Sequence, residues 1–132
     1  MRTVKDVEAY LGRLNRRFEP VEGQDGTFLV HSAKGLPPIA VRVDTPLVVF
    51  RAHVGDVPPP GHADLFRKLL QINAKSLVHS SFGLEGDRIV LVSALELENL
   101  DFNEIEATLD EIDMTLVQQV PGLIELSKKN DL

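Results

Sequence analysis

The 132-residue chain contains no cysteine and no tryptophan, and it has a single tyrosine. Without thiols, disulfides, thiolate metal sites and cysteine nucleophiles are all excluded. The absence fits a reducing compartment, so a cytoplasmic setting is the expectation. No apolar run approaches the roughly 18–20 residues that a membrane helix needs, and the opening MRTVKDVEAYLGRLNRR lacks the apolar core of a secretory signal. The four histidines, His31, His53, His62 and His79, form no ligand pair at helical spacing. No serine stands in a Gly-x-Ser-x-Gly elbow, and no glycine loop is followed by Lys and Ser/Thr at a helix start. Glu106, Asp110 and Asp113 share a helical face by spacing, but like charges along a helix describe a solvated face more simply than a cation site. The expectation is therefore a non-enzymatic protein with no catalytic residue, no metal and no cofactor.

What is present is ordinary for a folded protein: 43% apolar and 26% charged residues, and a length that suits one domain over residues 1–132. A domain of this size buries roughly 65–70% of its unfolded surface, enough for a core without staples. The net charge of −6 argues against direct nucleic-acid binding. The charge is uneven. Residues 2–17 hold five bases and two acids, whereas residues 96–132 hold ten acids and two lysines. Such asymmetry steers partners or draws the chain ends together, and its simplest form is a pair of solvated helix faces.

Val4, Val7, Leu11 and Leu14 recur at spacings of three and four, which predicts a helix over 3–17 with Thr3 as its cap and Asp6 three residues on. Strands follow at 27–32, 39–43 and 47–54, the last with Val48, Phe50, Ala52 and Val54 on a fully apolar face. Three prolines after Val57 make a stiff connector. A second helix runs from His62 to about Asn73, which is suited to end it in a left-handed conformation. Two strands at about 77–84 and 87–95 lead to a last helix starting at Asp101. Pro121 should stop or kink that helix near Val120. The order α-β-β-β-α-β-β-α, with short turns between strands, gives an α+β fold: an antiparallel sheet flanked by helices.

Gly83-Leu84-Glu85-Gly86-Asp87 has the composition of a ligand loop but lacks the following helix, and its acids would repel a phosphate. A hairpin with Glu85-Gly86 at its tip explains it. Leu84 would then face Asp87, and Phe82 would face Ile89. Phe82, Leu84, Ile89 and Leu91 would share one face, with Val90 and Val92 on the other. A strand apolar on both sides is usually covered on both. A second copy of the chain is the simplest cover for the second side.

Three strings, Leu69-Leu70-Gln71-Ile72-Asn73, Phe82-Gly83-Leu84-Glu85-Gly86-Asp87-Arg88-Ile89-Val90-Leu91 and Leu97-Glu98-Asn99-Leu100-Asp101, resemble the YbjN-like and Tir-chaperone-like proteins, which share the type III secretion chaperone fold. The resemblance in residues covers about 65–112. It implies a small acidic homodimer, without a catalytic centre, that binds a protein partner or an extended polypeptide segment. Carried onto this chain, it implies a dimer interface at Phe66, Leu69, Leu70, Val90 and Val92. It implies partner binding at Val48 and Phe50 with Val7 and Leu11 of the first helix. The YbjN-like branch implies an alternative, a regulatory protein acting through a DNA- or RNA-associated protein partner.

Overall fold

The computed structural model describes residues 1–60 and 62–128. In chain order these form α1 (Val4–Arg13), β1 (Phe18–Pro20), β2 (Thr27–Val30), β3 (Ile39–Asp44), β4 (Leu47–Asp56), α2 (Ala63–Lys75), β5 (Ser80–Glu85), β6 (Arg88–Glu96) and α3 (Phe102–Lys128). The strands make one antiparallel sheet in the order β1-β2-β3-β4-β6-β5. The α+β architecture expected from the sequence is present, with one strand more. β1 has only three residues and ends in Pro20, so it shows no alternation to read. A proline cannot donate to a ladder, and β1 accordingly lies at an edge.

The core lies on one side of the sheet. Val7 and Leu11 of α1, Leu65, Leu69 and Ile72 of α2, and Ile105, Leu109, Ile112 and Leu116 of α3 are buried in a single cluster. From the sheet, Val41, Phe50, Ala52, Phe82 and Leu91 complete it. Residues alternate across a strand, so Leu29, Ala40, Val49 and Val92 point to the opposite side. They are half-buried, and the helices described lie on the other face.

The expected hairpin forms one residue further along. Glu85 pairs with Arg88, so Gly86-Asp87 is the loop. Gly86 has φ +60 and Asp87 does not share a positive φ, as in a turn that needs glycine at its first central position. The shift moves every pairing by two: Leu84 faces Ile89 instead of Asp87, and Phe82 faces Leu91 instead of Ile89. A shift of two preserves the side-chain face, so the expected division of faces stands.

Three helix expectations need correction. The first helix does not reach residue 17: α1 ends at Arg13, where Leu14 turns extended. Asn73 does not end α2, which continues to Lys75 and is capped by Ser76 in a right-handed conformation. Its amide instead pairs with the backbone of β5. Phe82 N–H donates to Asn73 Oδ1 at 2.7 Å, and Asn73 Nδ2 donates to the Phe82 carbonyl at 3.0 Å. Pro121 does not stop α3, which runs on to Lys128. The proline ring is exposed, and Leu123 beyond it is buried in the core, so packing holds the last turns against the lost hydrogen bond. At the start of α3 the expected cap is present: Glu104 N–H donates to Asp101 Oδ1, and Asp101 N–H to Glu104 Oε1.

Two outcomes follow from these contacts. Asn73→Ala removes both bonds and leaves Phe82 N–H and C=O without them; urea unfolding should show a loss of about 1–3 kcal/mol. Asp6 closes the capping box of α1 by accepting from Thr3 N–H and hydroxyl, and this holds its carboxyl below its ordinary 3.8. A depressed native pKa stabilises above the unfolded value and is lost as pH falls through the native one. The difference in thermal midpoint between the native chain and Asp6→Ala should therefore be constant well above pH 3.8 and narrow below it.

Candidate functional site

The four residues expected to meet a partner do not reach the surface. Val7, Leu11, Val48 and Phe50 are each 0% exposed and pack against one another's elements in the core. Their apolar periodicity is that of a helix stripe and a strand face closing on each other, and it leaves nothing for another chain to touch.

The five residues expected at a dimer interface fall into two groups that the sheet separates. Phe66, Leu69 and Leu70 belong to α2, on the helical side. Leu69 is 5% exposed and belongs to the core, whereas Leu70 is 68% exposed. Phe66, Leu70 and Leu84 line an open groove of about 390 Å³ between α2 and β5, floored by Leu69 and Phe82. Leu84, half exposed, is not singled out by the sequence; its expected place on one face with Phe82, Ile89 and Leu91 made it look like core. Val90 and Val92 face the other way, onto the open side of the sheet.

Part of that open side is covered from within the chain. Arg51 pairs with Glu85 at 2.8 Å. In the ladder Arg51 stands opposite Val92, and Glu85 opposite Arg88, so the ion pair bridges diagonally past Val90. Val90 is 2% exposed although the helices lie on the other face. Val92, directly opposite Arg51 and diagonal to Val49, stays half-buried.

β5 is also a sheet edge. Because the Phe82 backbone turns outward to Asn73, the alternation of an antiparallel ladder turns the N–H and C=O of Leu84 outward as well. Just before β5, the N–H groups of Val78 and His79 donate to Glu111 of α3, while the Val78 side chain is 82% exposed. The edge is thus held at two points and open at the Leu84 end, where the groove begins.

The uneven charge draws the chain ends together. Arg16 bonds Asp113 at 2.9 Å, and it donates to the His31 carbonyl and to Ser32 Oγ; Ser32 Oγ donates in turn to Asp113. Arg2 and Tyr10 both donate to the Leu100 carbonyl, and Arg13 lies 4.2 Å over the Phe102 ring. Three of the five basic residues at the N-terminus are therefore committed to the fold. Asp113 is paired with Arg16, and among the described residues no group of three or more His, Asp or Glu side chains is placed to hold a metal ion. Among the same residues no helix is long and apolar enough to cross a membrane.

Comparison with known proteins places these features in a family. The family model CesT_Tir_1 matches residues 1–129, and the chain belongs to that family. Its fold is similar to a chain of the heterodimeric ExoU–SpcU complex from the type III secretion system of Pseudomonas aeruginosa. The TM-score is 0.69 and the identity 20%, over 87% of this chain and 95% of that one. It is similar to YbjN from E. coli, described as a candidate transcription regulator, with a TM-score of 0.68 and 15% identity over 88% of this chain and 89% of that one. A chain of the HopA1–SchA chaperone–effector complex matches with a TM-score of 0.56 and 12% identity, over 92% and 90% of the respective chains. No curated protein matches the sequence. The chain has the type III secretion chaperone fold that its sequence resembles.

Two substitutions separate fold from surface. Leu69→Glu places a charge in the core and should destabilise the chain by several kcal/mol, on the scale of an unpaired buried charge. Arg16→Ala should cost about 2–3 kcal/mol in urea unfolding, since charge-assisted bonds from a mostly buried guanidinium are lost. Arg16→Lys should restore only part, because an ammonium cannot reproduce the fork.

Proposed function

We propose that the chain is a non-enzymatic, cytoplasmic, chaperone-like adaptor that forms a homodimer and holds an extended segment of another polypeptide. One observation carries the reading: every helix described lies on one side of the sheet, leaving the other face with an apolar patch at Leu29, Ala40, Val49 and Val92 set among polar side chains such as Arg42, Arg51 and His53, and leaving an apolar groove at the β5 edge. The groove suits the dimer. Phe66, Leu70 and Leu84 offer apolar side chains next to the outward backbone of Leu84, and a two-fold copy could match both. The patch of Leu29, Ala40, Val49 and Val92, with Arg51 standing in the row between Ala40 and Val92, suits an extended client, whose alternate side chains would meet the pleat. Two of the structural relatives come from complexes of two proteins, the heterodimeric ExoU–SpcU complex of a type III secretion system and the HopA1–SchA chaperone–effector complex, which supports a polypeptide client here.

The likeness to YbjN favours a second reading, a regulator that acts through a DNA- or RNA-associated protein. The engagement of Arg2, Arg13 and Arg16 within the fold speaks for a protein intermediary over direct contact with nucleic acid.

Light scattering at micromolar concentration tests the dimer. The native chain should have twice its 14.6 kDa mass, and Leu70→Glu should reduce it to one copy with an unchanged circular dichroism spectrum. A native chain that stays monomeric defeats the dimer; a folded Leu70→Glu dimer moves the interface elsewhere. An affinity capture from the native cell, read by mass spectrometry, distinguishes an effector-like client from a regulatory protein. Val92→Glu should abolish retention of that protein while leaving the dimer mass intact.

A further inference from the structure

Among the described residues, Val90 is the one buried apolar residue that stands outside the core. It is 2% exposed, yet the cluster that takes in every other buried apolar side chain leaves it out. Its strand neighbours Ile89 and Leu91 belong to that cluster, so Val90 points to the opposite side of the sheet, where none of the described helices lies. A valine in that position is kept from water by something other than the core.

The ladder shows what surrounds it. Val90 stands opposite His53 on β4 and opposite Gly83 on β5. The His53 ring is tied to Asp56 at 3.0 Å and to the Gly55 carbonyl at 3.1 Å. Gly83 brings no side chain, and an added Cβ there would meet nothing within 4 Å, so a notch is open on the β5 side. The Arg51–Glu85 pair, closed at 2.8 Å, runs from the row of Val92 on β4 to the row of Arg88 on β5. Val90 lies on the strand and in the row midway along that diagonal. The two charged side chains are 43% and 40% exposed. A pair wetted to that degree holds its partners weakly, because water and salt compete for both charges, and opening it buries neither.

We propose that Val90 and the notch beside Gly83 form a concealed apolar subsite, and that the Arg51–Glu85 pair is its displaceable cover. With the pair aside, Val90 extends the patch of Val92 and Val49 by one more valine along β6. Val90 and Val92 are two residues apart on one strand, the spacing at which side chains recur on one face of an extended segment. The occupant is an extended polypeptide with apolar side chains at alternate positions. The occupant rests on the client reading of the open face; the cover does not.

The chain has no cysteine, so one introduced thiol reports its own exposure. Val90→Cys should react with N-ethylmaleimide, a neutral reagent, at least about tenfold more slowly than Val92→Cys, since a covered thiol is reached only when its cover opens. Adding Glu85→Ala should speed Val90→Cys by about threefold to fivefold, the scale on which an exposed ion pair holds its partners. Val92→Cys, opposite Arg51, shares the change in local charge and corrects for it. Val48→Cys, in the core, should not change. In the chain without introduced thiols, the neutral nitroxide TEMPOL should broaden the Val90 methyl resonances less than those of Val92, and Glu85→Ala should narrow that difference; this serves equally if Val90→Cys fails to fold. Equal exposure of Val90 and Val92, no response to Glu85→Ala, or an equal acceleration of Val48→Cys overturns the cover. In the affinity capture, Glu85→Ala should raise retention of the captured protein. A Val90 that Glu85→Ala uncovers without any gain in retention overturns the subsite, whereas Val92→Glu tests the client reading itself.

Discussion

The longest ladder in the sheet joins β4 to β6, strands separated in sequence by the whole of α2 and β5, and the rest of the molecule is arranged around it. It runs from Leu47 opposite Glu96 to Asp56 opposite Arg88, with one irregularity between His53 and Gly55. Because it is antiparallel and central, both strands have partners on either side, β3 for one and β5 for the other. Its inner face, with Val48, Phe50, Ala52 and Leu91, must be covered. α3 supplies most of that cover, with its buried isoleucines and leucines, and α1 closes the other end through Val7 and Leu11. α2 is then left to cover the β5 end, and that is where the molecule runs short of apolar cover and Leu70 and Leu84 remain exposed.

Much of this was legible in the chain because it depends on local pattern. The alternation of Val48, Phe50 and Ala52, the stripe Phe102, Ile105, Leu109, Ile112 and Leu116, and the capping pairs Thr3–Asp6 and Asp101–Glu104 are all signals within a few residues. The faces of the β5–β6 hairpin could be read even though its register could not, since the side-chain period is two and the error was two. What escaped was set by tertiary contact. Asn73 has the same composition signal whether it ends a helix or binds a strand, and only the position of Phe82 decides. Pro121 breaks isolated helices, but the burial of Leu123 beyond it outweighs one lost bond. The candidate sites suffered most. Val7, Leu11, Val48 and Phe50 are apolar for the sake of the core, and an apolar pattern does not say whether its cover comes from the same chain or from another.

The charge asymmetry has a comparable double character. Inside the molecule it fastens the segment after α1 to the middle of α3, through Arg16, Ser32 and Asp113, in a mostly buried network where geometry gives each bond its value. Outside, it leaves α3 with six acids against a single base, Lys128. The same composition therefore does two things at two depths: it ties the ends of the chain at the buried flank of α3 and sets the sign of the potential at the exposed one. The bases that look available in the sequence are largely spent on the first.

The amide of Asn73 reaches beyond the stability of one helix. A sheet whose edge strand shows a full row of free N–H and C=O groups can add strands without limit, and an apolar edge invites it. Here the middle of β5 is already occupied by a side chain of the same molecule, and the opposite edge of the sheet ends in Pro20, which has no N–H to offer. Growth from either side is thereby cut short. A protein that exposes leucine and valine beside its sheet can in this way keep its associations finite, closing on a small number of copies where an unguarded edge would template a filament.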